Sequence, residues 1–260
     1  MKGQNGERWI VSPDAQELLD RVGIASADSL FVDPRIVVWR DLEERQNGTL
    51  DFLRADGSAG RLHIKRDKHR HSNPVAAEAQ GVSLLNAAGI RSTPLVAWGS
   101  LADGRSFLLT EQLYGHQSAD RCLETGLIFD QLFEPTCRIC ATLHAAGLHH
   151  RDLYLNHFYV DQRDRFSIAL IDAARVKRLP MFFASRWIVK DVAQFLFSTL
   201  EYAAQTQRDA WLSMYCELVK RGDVESFRRR VSRKAAWIDR HDQKLRAAKP
   251  KRNLRLSTEM

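Results

Sequence analysis

The hydrophobic pattern of this chain changes once, after the segment Glu111-Gln112-Leu113. Upstream of it, short apolar or alternating runs are separated by glycine turns, which is typical of antiparallel strands. Downstream of it, apolar residues recur at helical spacing over long stretches. We therefore expect an α+β fold of two lobes, with a small sheet-containing lobe over residues 1–112 and a larger, mainly helical lobe over residues 113–260. The chain has 260 residues and 44% apolar content, which is enough for both cores.

The small lobe is predicted to contain an antiparallel sheet and one main helix. Its strands are predicted at residues 36–39, 50–53, 61–65, 95–98 and 107–110. Asn73-Pro74 opens the helix and Gly89 closes it. A short helix with Ser12 as its N-cap is expected before the sheet.

The large lobe is predicted to begin with a long buried helix. Its apolar stripe runs from Phe129 to Leu143 and ends at Gly147. A polar loop over residues 148–156 follows, then strands at residues 157–160 and 166–171, and helices from Trp187 onward.

The positive charge of the chain is concentrated near its end. Residues 218–260 contain 14 Lys and Arg against 5 Asp and Glu, whereas residues 1–217 contain 25 against 27. Such a segment is often only a solvated helix face. Aromatic residues that could stack on bases are sparse in it, so nucleic acid is not an expected partner. Attraction to the anionic cytoplasmic face of an inner membrane fits better.

The cysteines and the start of the chain indicate a reducing compartment. The four cysteines show no framework spacing, and the pair Cys137 and Cys140 lies within a helical pattern, so we expect ordinary core thiols. No run of eighteen apolar residues occurs, and the first residues lack the apolar stretch of a signal peptide. A cytoplasmic location is expected.

Candidate catalytic residues follow the long helix of the large lobe. His150-Arg151-Asp152 lies on the polar loop, and Asp172 follows the next apolar strand. Upstream, Lys65 lies on a strand and Glu78 on the helix after it. Phosphoryl transfer uses these groups in this order. The sequence therefore predicts a kinase that uses ATP and Mg²⁺, in which Asp152 accepts the proton of a hydroxyl and Asp172 binds the metal.

The nucleotide is predicted to contact residues of the small lobe. Lys65 would contact the α and β phosphates, held in place by Glu78. A single lysine on a strand more often serves solubility, so the prediction depends on the order of all four groups. Glu111 and Leu113, where strands give way to helices, are the other predicted nucleotide-binding residues.

Three segments resemble the Kdo/WaaP family of lipopolysaccharide kinases. They are LHAAGLHHRDLYLNHF at residues 143–158, LIDAAR at residues 170–175 and RWIVKD at residues 186–191. The resemblance covers about residues 36 to 200 and implies a protein-kinase-like fold that phosphorylates a heptose or Kdo sugar of the lipopolysaccharide inner core. It also implies that Asp191 is a buried acid that braces the catalytic loop, with His150 and Arg151 as further support.

Several features depart from ordinary protein kinases. His157 stands where those enzymes have a metal-binding asparagine, so either His157 itself or the oxygen of the neighbouring Asn156 is expected at the metal site. No GxGxxG motif occurs between the first two strands, where only residues 43–48 are available to cover the phosphates. The segment after Asp172 is short and lacks an APE motif, which favours a small or lipid-linked acceptor over a peptide.

Other functions fit the sequence less well. A small-molecule phosphotransferase resembling the aminoglycoside and choline kinases is the main alternative, and a nucleotide-binding pseudokinase is another. Four histidines lie within residues 144–157, but none of the common zinc spacings is present. We expect instead that His144 caps a helix end and that His150 braces the loop backbone.

Overall fold

The computed structural model describes residues 7–68, 74–164 and 167–248. The chain forms two compact units, Met1–Ser83 with Thr93–Tyr114, and Leu84–Ser92 with Gly115–Met260. The first unit is built on an antiparallel sheet, and the second is mainly helical. The predicted α+β class is confirmed.

The first unit contains a six-stranded sheet among its described residues. Its strands are β1 (Arg8–Val11), β2 (Val37–Asp41), β3 (Arg45–Leu53), β4 (Ala59–Asp67), β5 (Leu95–Ser100) and β6 (Ser106–Glu111). Their spatial order is β1-β5-β6-β4-β3-β2, and every neighbouring pair is antiparallel. The first three predicted strands are observed as β2, β3 and β4. The second of them is longer than predicted, because β3 already begins at Arg45.

The start of the chain differs from its prediction. Residues 8–11 form the edge strand β1, and Ser12 continues its ladder by donating its backbone N–H to the carbonyl of Val96 at 2.9 Å. The chain is therefore still extended at Ser12, and the prediction that Ser12 is an N-cap is wrong. Helix α1 (Gln16–Val22) begins after Ala15, and a single turn, α2 (Ser29–Val32), follows.

The two faces of this sheet are covered by different elements. On one face, Leu62 and Ile64 of β4 are buried in a core that includes Leu19 of α1 and Leu30 of α2. On the other face, helix α3 (Pro74–Ala87) packs Val75 and Ala79 against Leu108. The predicted apolar residues of α3 are all buried, namely Val75, Ala79, Val82 and Leu85. Asn73, which was predicted to open this helix, lies outside the described residues.

The second unit contains five helices and several short strands in its described part. The helices are α4 (Ala119–Glu124), α5 (Phe129–Ala145), α6 (Ala184–Ser198), α7 (Gln205–Leu218) and α8 (Val224–Ala248). The strands are β7 (His116–Ser118), β8 (Leu148–His149), β9 (Phe158–Asp161), β10 (Ile168–Leu170) and β11 (Lys177–Arg178). They form a sheet of order β10-β9-β7 and the pair β11-β8. The predicted strand over residues 166–171 is observed as β10, and Phe166 lies outside the described residues.

The core of the second unit is rich in aromatic rings. Phe195, Trp211, Tyr215 and Phe227 stack in sequence, with ring centroids 4.5 to 5.8 Å apart. All four cysteines are buried, as predicted, and burial raises the pKa of Cys137 to about 12. Among the described residues, no helix is long and apolar enough to cross a lipid bilayer.

Candidate active site

The loop that carries Asp152 runs from β8 to a 3₁₀ turn over residues 155–157. Within it, Arg151 has a φ of 73°, which is a left-handed conformation that a side chain other than glycine seldom adopts. Asp172 has a similar backbone, with a φ of 58°. Such conformations persist only where surrounding contacts hold them, and they are concentrated at functional sites. The two predicted catalytic carboxylates therefore lie on or next to constrained backbone.

Asp191 supplies the central contacts that hold this loop. The backbone N–H groups of His150 and Arg151 donate to its two carboxylate oxygens at 2.6 and 2.8 Å. The carboxylate is fully buried, which opposes its charge, but His144, 3.5 Å away, and the bond from His150 hold its pKa below the ordinary value. A charged acceptor in this position fixes two consecutive peptide groups next to Asp152.

Three more residues of α6 hold the same loop. Lys190 donates to the carbonyl of Arg151 at 2.6 Å, and the Ser198 hydroxyl accepts from the backbone N–H of Leu155 at 2.8 Å. Gln194 accepts a longer bond, 3.4 Å, from the backbone N–H of Leu153. Positions 191, 194 and 198 share one helix face, because residues three to four apart are neighbours on a helix. Sequence reasoning found only Asp191, although this spacing of polar residues in an apolar helix was a usable signal.

The carboxylate of Asp152 is contacted by Arg175, a residue that the sequence did not single out. One guanidinium nitrogen, Nη1, lies 3.0 and 2.9 Å from the two carboxylate oxygens. Arg175 ends the 3₁₀ turn Ala173–Arg175, which begins directly after Asp172. The turn therefore connects the two predicted catalytic acids, and the cation fixes the orientation of the Asp152 carboxylate.

His157 lies between the same two acids. Its Nδ1 is 2.7 Å from the carbonyl oxygen of Asp152, and since a carbonyl only accepts, Nδ1 carries the proton. In the neutral ring Nε2 then holds a lone pair, and it faces Oδ2 of Asp172 at 3.7 Å. Two electron-rich atoms placed in this way favour a cation bound between them.

Asn156 provides a further oxygen. Its Oδ1 is buried and has no hydrogen-bond partner in the described part of the chain, which is unusual for a buried amide oxygen. Magnesium prefers oxygen ligands and is usually held by one or two carboxylates together with substrate phosphates. The described residues contain no group of three or more His, Cys, Asp and Glu that could hold a metal. Asp172 and Asn156 offer oxygen donors of the kind that Mg²⁺ prefers, His157 lies beside Asp172, and their role as metal ligands stays a prediction.

The histidine cluster serves the loop in two ways. Nε2 of His150 lies 3.0 Å from the carbonyl of Ile171, so this ring bonds to the backbone just before Asp172 and not to the loop itself, and burial lowers its pKa. The prediction that His144 caps a helix end is wrong. Its Nδ1 lies 2.7 Å from the hydroxyl of Tyr215, and its other nitrogen faces Asp191. The side chain of His144 lies in the core because it contacts Tyr215 of α7 and Asp191 of α6.

In the first unit, Lys65 and Glu78 form an ion pair. Lys65 lies across from Leu108 on the sheet face that α3 covers, so its side chain meets that helix. Nζ of Lys65 donates to both carboxylate oxygens of Glu78, at 2.6 and 2.8 Å. The lysine side chain keeps 26% exposure while Glu78 keeps 8%. The pair therefore positions a partly accessible cation on the sheet.

The remaining predicted nucleotide contacts have other surroundings. The carboxylate of Glu111 forms an ion pair with Arg54, and Leu113 is buried. The structure therefore places Glu111 beside a cation, and its nucleotide contact stays a prediction. In the segment 43–48, Gly48 approaches β2 closely: a Cβ there would lie 2.9 Å from the Ile36 side chain and 3.1 Å from the Val37 carbonyl. This glycine is explained by strand packing.

Comparison with known proteins identifies sequence relatives. Residues 34–215 match the model of the "Lipopolysaccharide kinase (Kdo/WaaP) family". A lipopolysaccharide core heptose(I) kinase, WaaP, of Pseudomonas aeruginosa is 26% identical over 240 residues, covering 80% of this chain and 85% of the relative. The enzyme of the same name from Escherichia coli is 30% identical over 124 residues, covering 42% of this chain and 45% of the relative. These matches confirm the resemblance that the three sequence segments predicted.

Solved structures share the fold. An aminoglycoside phosphotransferase from Streptomyces rimosus superposes with a TM-score of 0.52 at 16% identity, covering 86% of this chain and 99% of the other. A GDP complex of an aminoglycoside 2'-phosphotransferase gives a TM-score of 0.54 at 11% identity, covering 93% and 95%. At these identities the likeness is one of fold alone, and it confirms the protein-kinase-like fold.

Proposed function

Because the chain belongs to the lipopolysaccharide kinase (Kdo/WaaP) family, we propose that it transfers the γ-phosphate of ATP to a sugar hydroxyl of the lipopolysaccharide inner core. Its family makes it a kinase, a phosphotransferase that uses ATP and an alcohol group as acceptor. Heptose and Kdo are the two candidate sugars. The similarity to proteins named core heptose(I) kinase supports heptose.

The observation that carries the proposal is the way in which Asp152 is held. Its loop is fixed by Asp191 and Lys190, and its carboxylate by Arg175. Phosphoryl transfer depends largely on positioning and on electrostatic stabilisation, because the transferring group needs little covalent help. A carboxylate fixed in this way is suited to accept a proton from a hydroxyl whose orientation matters more than its acidity.

The other residues have complementary roles in the proposed reaction. Lys65, oriented by Glu78, binds the phosphates of ATP as a point charge. Asp172 and Asn156 would hold Mg²⁺, which neutralises developing charge on the phosphate oxygens when bound. His157 bonds to the carbonyl of Asp152 and faces the Asp172 carboxylate at 3.7 Å, so it lies between the proposed base and the proposed metal ligand. Arg175 fixes the orientation of the Asp152 carboxylate toward the acceptor hydroxyl.

Transfer from labelled ATP to core oligosaccharides of defined sugar content tests this function. We expect label on oligosaccharides that contain the acceptor sugar, with product mapping by mass spectrometry and phosphorus NMR placing the phosphate on heptose or Kdo. Kanamycin and choline serve as control acceptors and should remain unlabelled. Transfer to either control but to none of the core oligosaccharides would contradict the proposal.

We also propose that the protein docks on the anionic cytoplasmic face of the inner membrane. The basic segment after Leu218 motivated this idea, but two of the three arginines at residues 228–230 form ion pairs: Arg228 with Asp209, and Arg230 with Asp223. Lys249, Lys251 and Arg252 lie outside the described residues. Reversal of the whole cluster at residues 228–230 would therefore break ion pairs as well as test docking.

A more specific feature supports docking. Three consecutive apolar side chains before α6 are exposed, at 83% for Met181, 85% for Phe182 and 63% for Phe183. The exposed cations Lys177 and Arg178 precede them on β11. An apolar tip flanked by basic residues can insert at an anionic interface, where lipid headgroups attract the cations and the rings leave water.

Sedimentation with anionic vesicles tests docking. The double variant F182S/F183S should bind vesicles at least about tenfold more weakly, since each buried phenylalanine contributes on the order of 1.5–3 kcal/mol. A matched control, V32S/L53S, removes two other exposed apolar side chains and should bind as the wild type does. Wild-type binding should also weaken as salt shortens the Debye length to about 3 Å at 1 M. Equal binding by both variants, without salt dependence, would refute docking through this tip.

A further inference from the structure

The second unit contains a pocket whose polar lining is entirely basic. It has a volume of about 730 Å³ and lies between the start of α6, the first half of α8 and the loop residue Arg151. Its cations are Arg151, Arg186, Lys190, Arg230, Arg233 and Lys234. Two tryptophans, Trp187 and Trp237, and one valine complete the lining.

Most of these cations have no carboxylate partner. Among the described residues, ion pairs within 4.0 Å include only Arg230 of the six, which pairs with Asp223. Arg151 and Lys234 lie instead over the rings of Trp187 and Trp237, at 4.6 and 3.6 Å. The Nε atom of Arg151 is buried and has no hydrogen-bond partner in the described part of the chain. The pocket therefore holds a buried donor without a hydrogen-bond partner and several cations without an ion-pair partner in the described part of the chain.

Burial and like charges both act on the lysines of this pocket. Burial lowers the pKa of Lys234, and the nearby Arg186 lowers it further. Burial also lowers the pKa of Lys190, with added repulsion from Arg151 and Arg175 that the carboxylates of Asp152 and Asp191 offset. An anion bound between these cations would relieve their repulsion and would accept a charge-assisted hydrogen bond from each.

The pocket is directly connected to the proposed base. Arg151 precedes Asp152 in the chain, and consecutive Cα atoms lie only about 3.8 Å apart. Lys190 lines the pocket and also donates to the carbonyl of Arg151 at 2.6 Å. The lining of the pocket therefore includes the residue next to the proposed base and a lysine that holds the same loop.

We propose that this pocket binds an anionic substituent of the sugar acceptor, a carboxylate or a phosphate group next to the sugar that is phosphorylated. The inference rests on the proposed function, and it adds the chemical feature by which the acceptor is selected. Guanidinium and ammonium groups bind both anions. Arg186 and Arg233 are exposed, so an anion can reach them from solvent.

A pair of matched double variants tests this role. R233E/K234E reverses two charges that line the pocket on α8. R240E/K244E reverses two exposed charges on the same helix that do not line it, so the change in net charge is identical. Each protein is assayed with three acceptors: the core oligosaccharide, the same molecule with its carboxylates reduced to alcohols, and the same molecule with its phosphates removed. If charge reversal disturbs folding, the milder variant R233Q/K234Q takes its place. It should show a smaller loss of activity with the same acceptor.

For the wild type, removal of one of the two kinds of anion should lower kcat/KM by about 10- to 100-fold, as expected for charge-assisted bonds. The modified acceptor with which kcat/KM falls shows whether the recognised anion is a carboxylate or a phosphate. R233E/K234E should show the same loss with the unmodified acceptor, mainly through a raised KM for that acceptor. Removal of the anion should then cause no further change in the kcat/KM of this variant. R240E/K244E should match the wild type, and the KM for ATP should stay unchanged in both variants.

Three results would overturn the inference. The first is a wild type that uses all three acceptors equally. The second is an R233E/K234E variant that keeps wild-type selectivity, or loses no more activity than R240E/K244E. The third is a loss by R233E/K234E of binding to anionic vesicles with no change toward any soluble acceptor, which would assign the pocket to a lipid headgroup. Failure of the proposed function differs from all three, because the wild type would then label none of the acceptors.

Discussion

Replacement of Asp191 by asparagine removes the charge that holds the catalytic loop and keeps the shape of the side chain. The carboxylate accepts backbone bonds from His150 at 2.6 Å and from Arg151 at 2.8 Å. Asparagine retains one acceptor and turns an NH₂ group toward the other N–H donor. The variant thus loses a hydrogen bond to a charged group, about 1.5–3 kcal/mol, and leaves a buried donor unpaired at a further cost of about 1–3 kcal/mol. Relief from burying a charge offsets part of this loss.

We therefore expect Asp191→Asn to lower the free energy of unfolding by about 2–4 kcal/mol. Urea unfolding followed by circular dichroism should show a lower midpoint at an unchanged slope. Because the pKa of Asp191 in the folded protein is lowered, its contribution is complete above the unfolded pKa of about 3.9 and is lost as the pH falls through the folded value. The difference between wild type and variant should thus be full at pH 7 and shrink below about pH 4.

The same variant should lose turnover at temperatures where it remains folded. A displaced loop misplaces Asp152, and small displacements of a catalytic group cost up to about 10²-fold in rate. Asp242→Asn is the matched control, since Asp242 is buried on α8 and accepts a 2.6 Å bond from Arg246, away from the loop. It should lower stability and leave kcat unchanged. If Asp191→Asn unfolds at the wild-type midpoint, or keeps wild-type kcat, the carboxylate does not brace the loop.

Two further variants test residues near the base. Asp172→Asn should raise the magnesium requirement and depress turnover, because a charged oxygen ligand becomes neutral; a magnesium titration that overlays that of the wild type would contradict the assignment. Arg175→Ala should lower kcat by about tenfold with little effect on ATP affinity, because the Asp152 carboxylate loses its fixed orientation. Arg175→Lys should recover most of the rate, since a single guanidinium nitrogen makes both contacts, and a lysine variant as slow as the alanine variant would refute this reading.

Local patterns in the sequence predicted the parts of the site that depend on one element and its neighbour. Lys65 and Glu78 could be paired because an alternating strand is followed by a helix with clear apolar spacing. The HRD segment and Asp172 could likewise be located from the sequence, because each depends only on one loop and a neighbouring strand. The strand β1 was missed because it is short and pairs with residues about ninety positions away, as in Arg8↔Ser100.

Contacts that depend on tertiary packing could not be predicted in the same way. Arg175 reaches Asp152 only because the chain turns through a left-handed residue at Asp172. Ser198 reaches Leu155 only when α6 lies along the loop. The sequence showed that the segment after Leu218 is basic, but not which of its cations form ion pairs and which line a pocket. Arg228 is neutralised by an acid on α7, whereas Arg233 lines a pocket of cations.

The central claim is that Asp152 accepts the proton of the acceptor hydroxyl in a phosphotransfer reaction. The most direct test is a single-turnover measurement of phosphate transfer from labelled ATP to the core oligosaccharide by Asp152→Ala, with ATP affinity of the same variant measured by calorimetry. We expect the transfer rate to fall by about 10²- to 10⁴-fold while ATP affinity stays near that of the wild type, because the base acts on the acceptor and not on the nucleotide. A variant that transfers phosphate at nearly the wild-type rate would remove Asp152 from the mechanism.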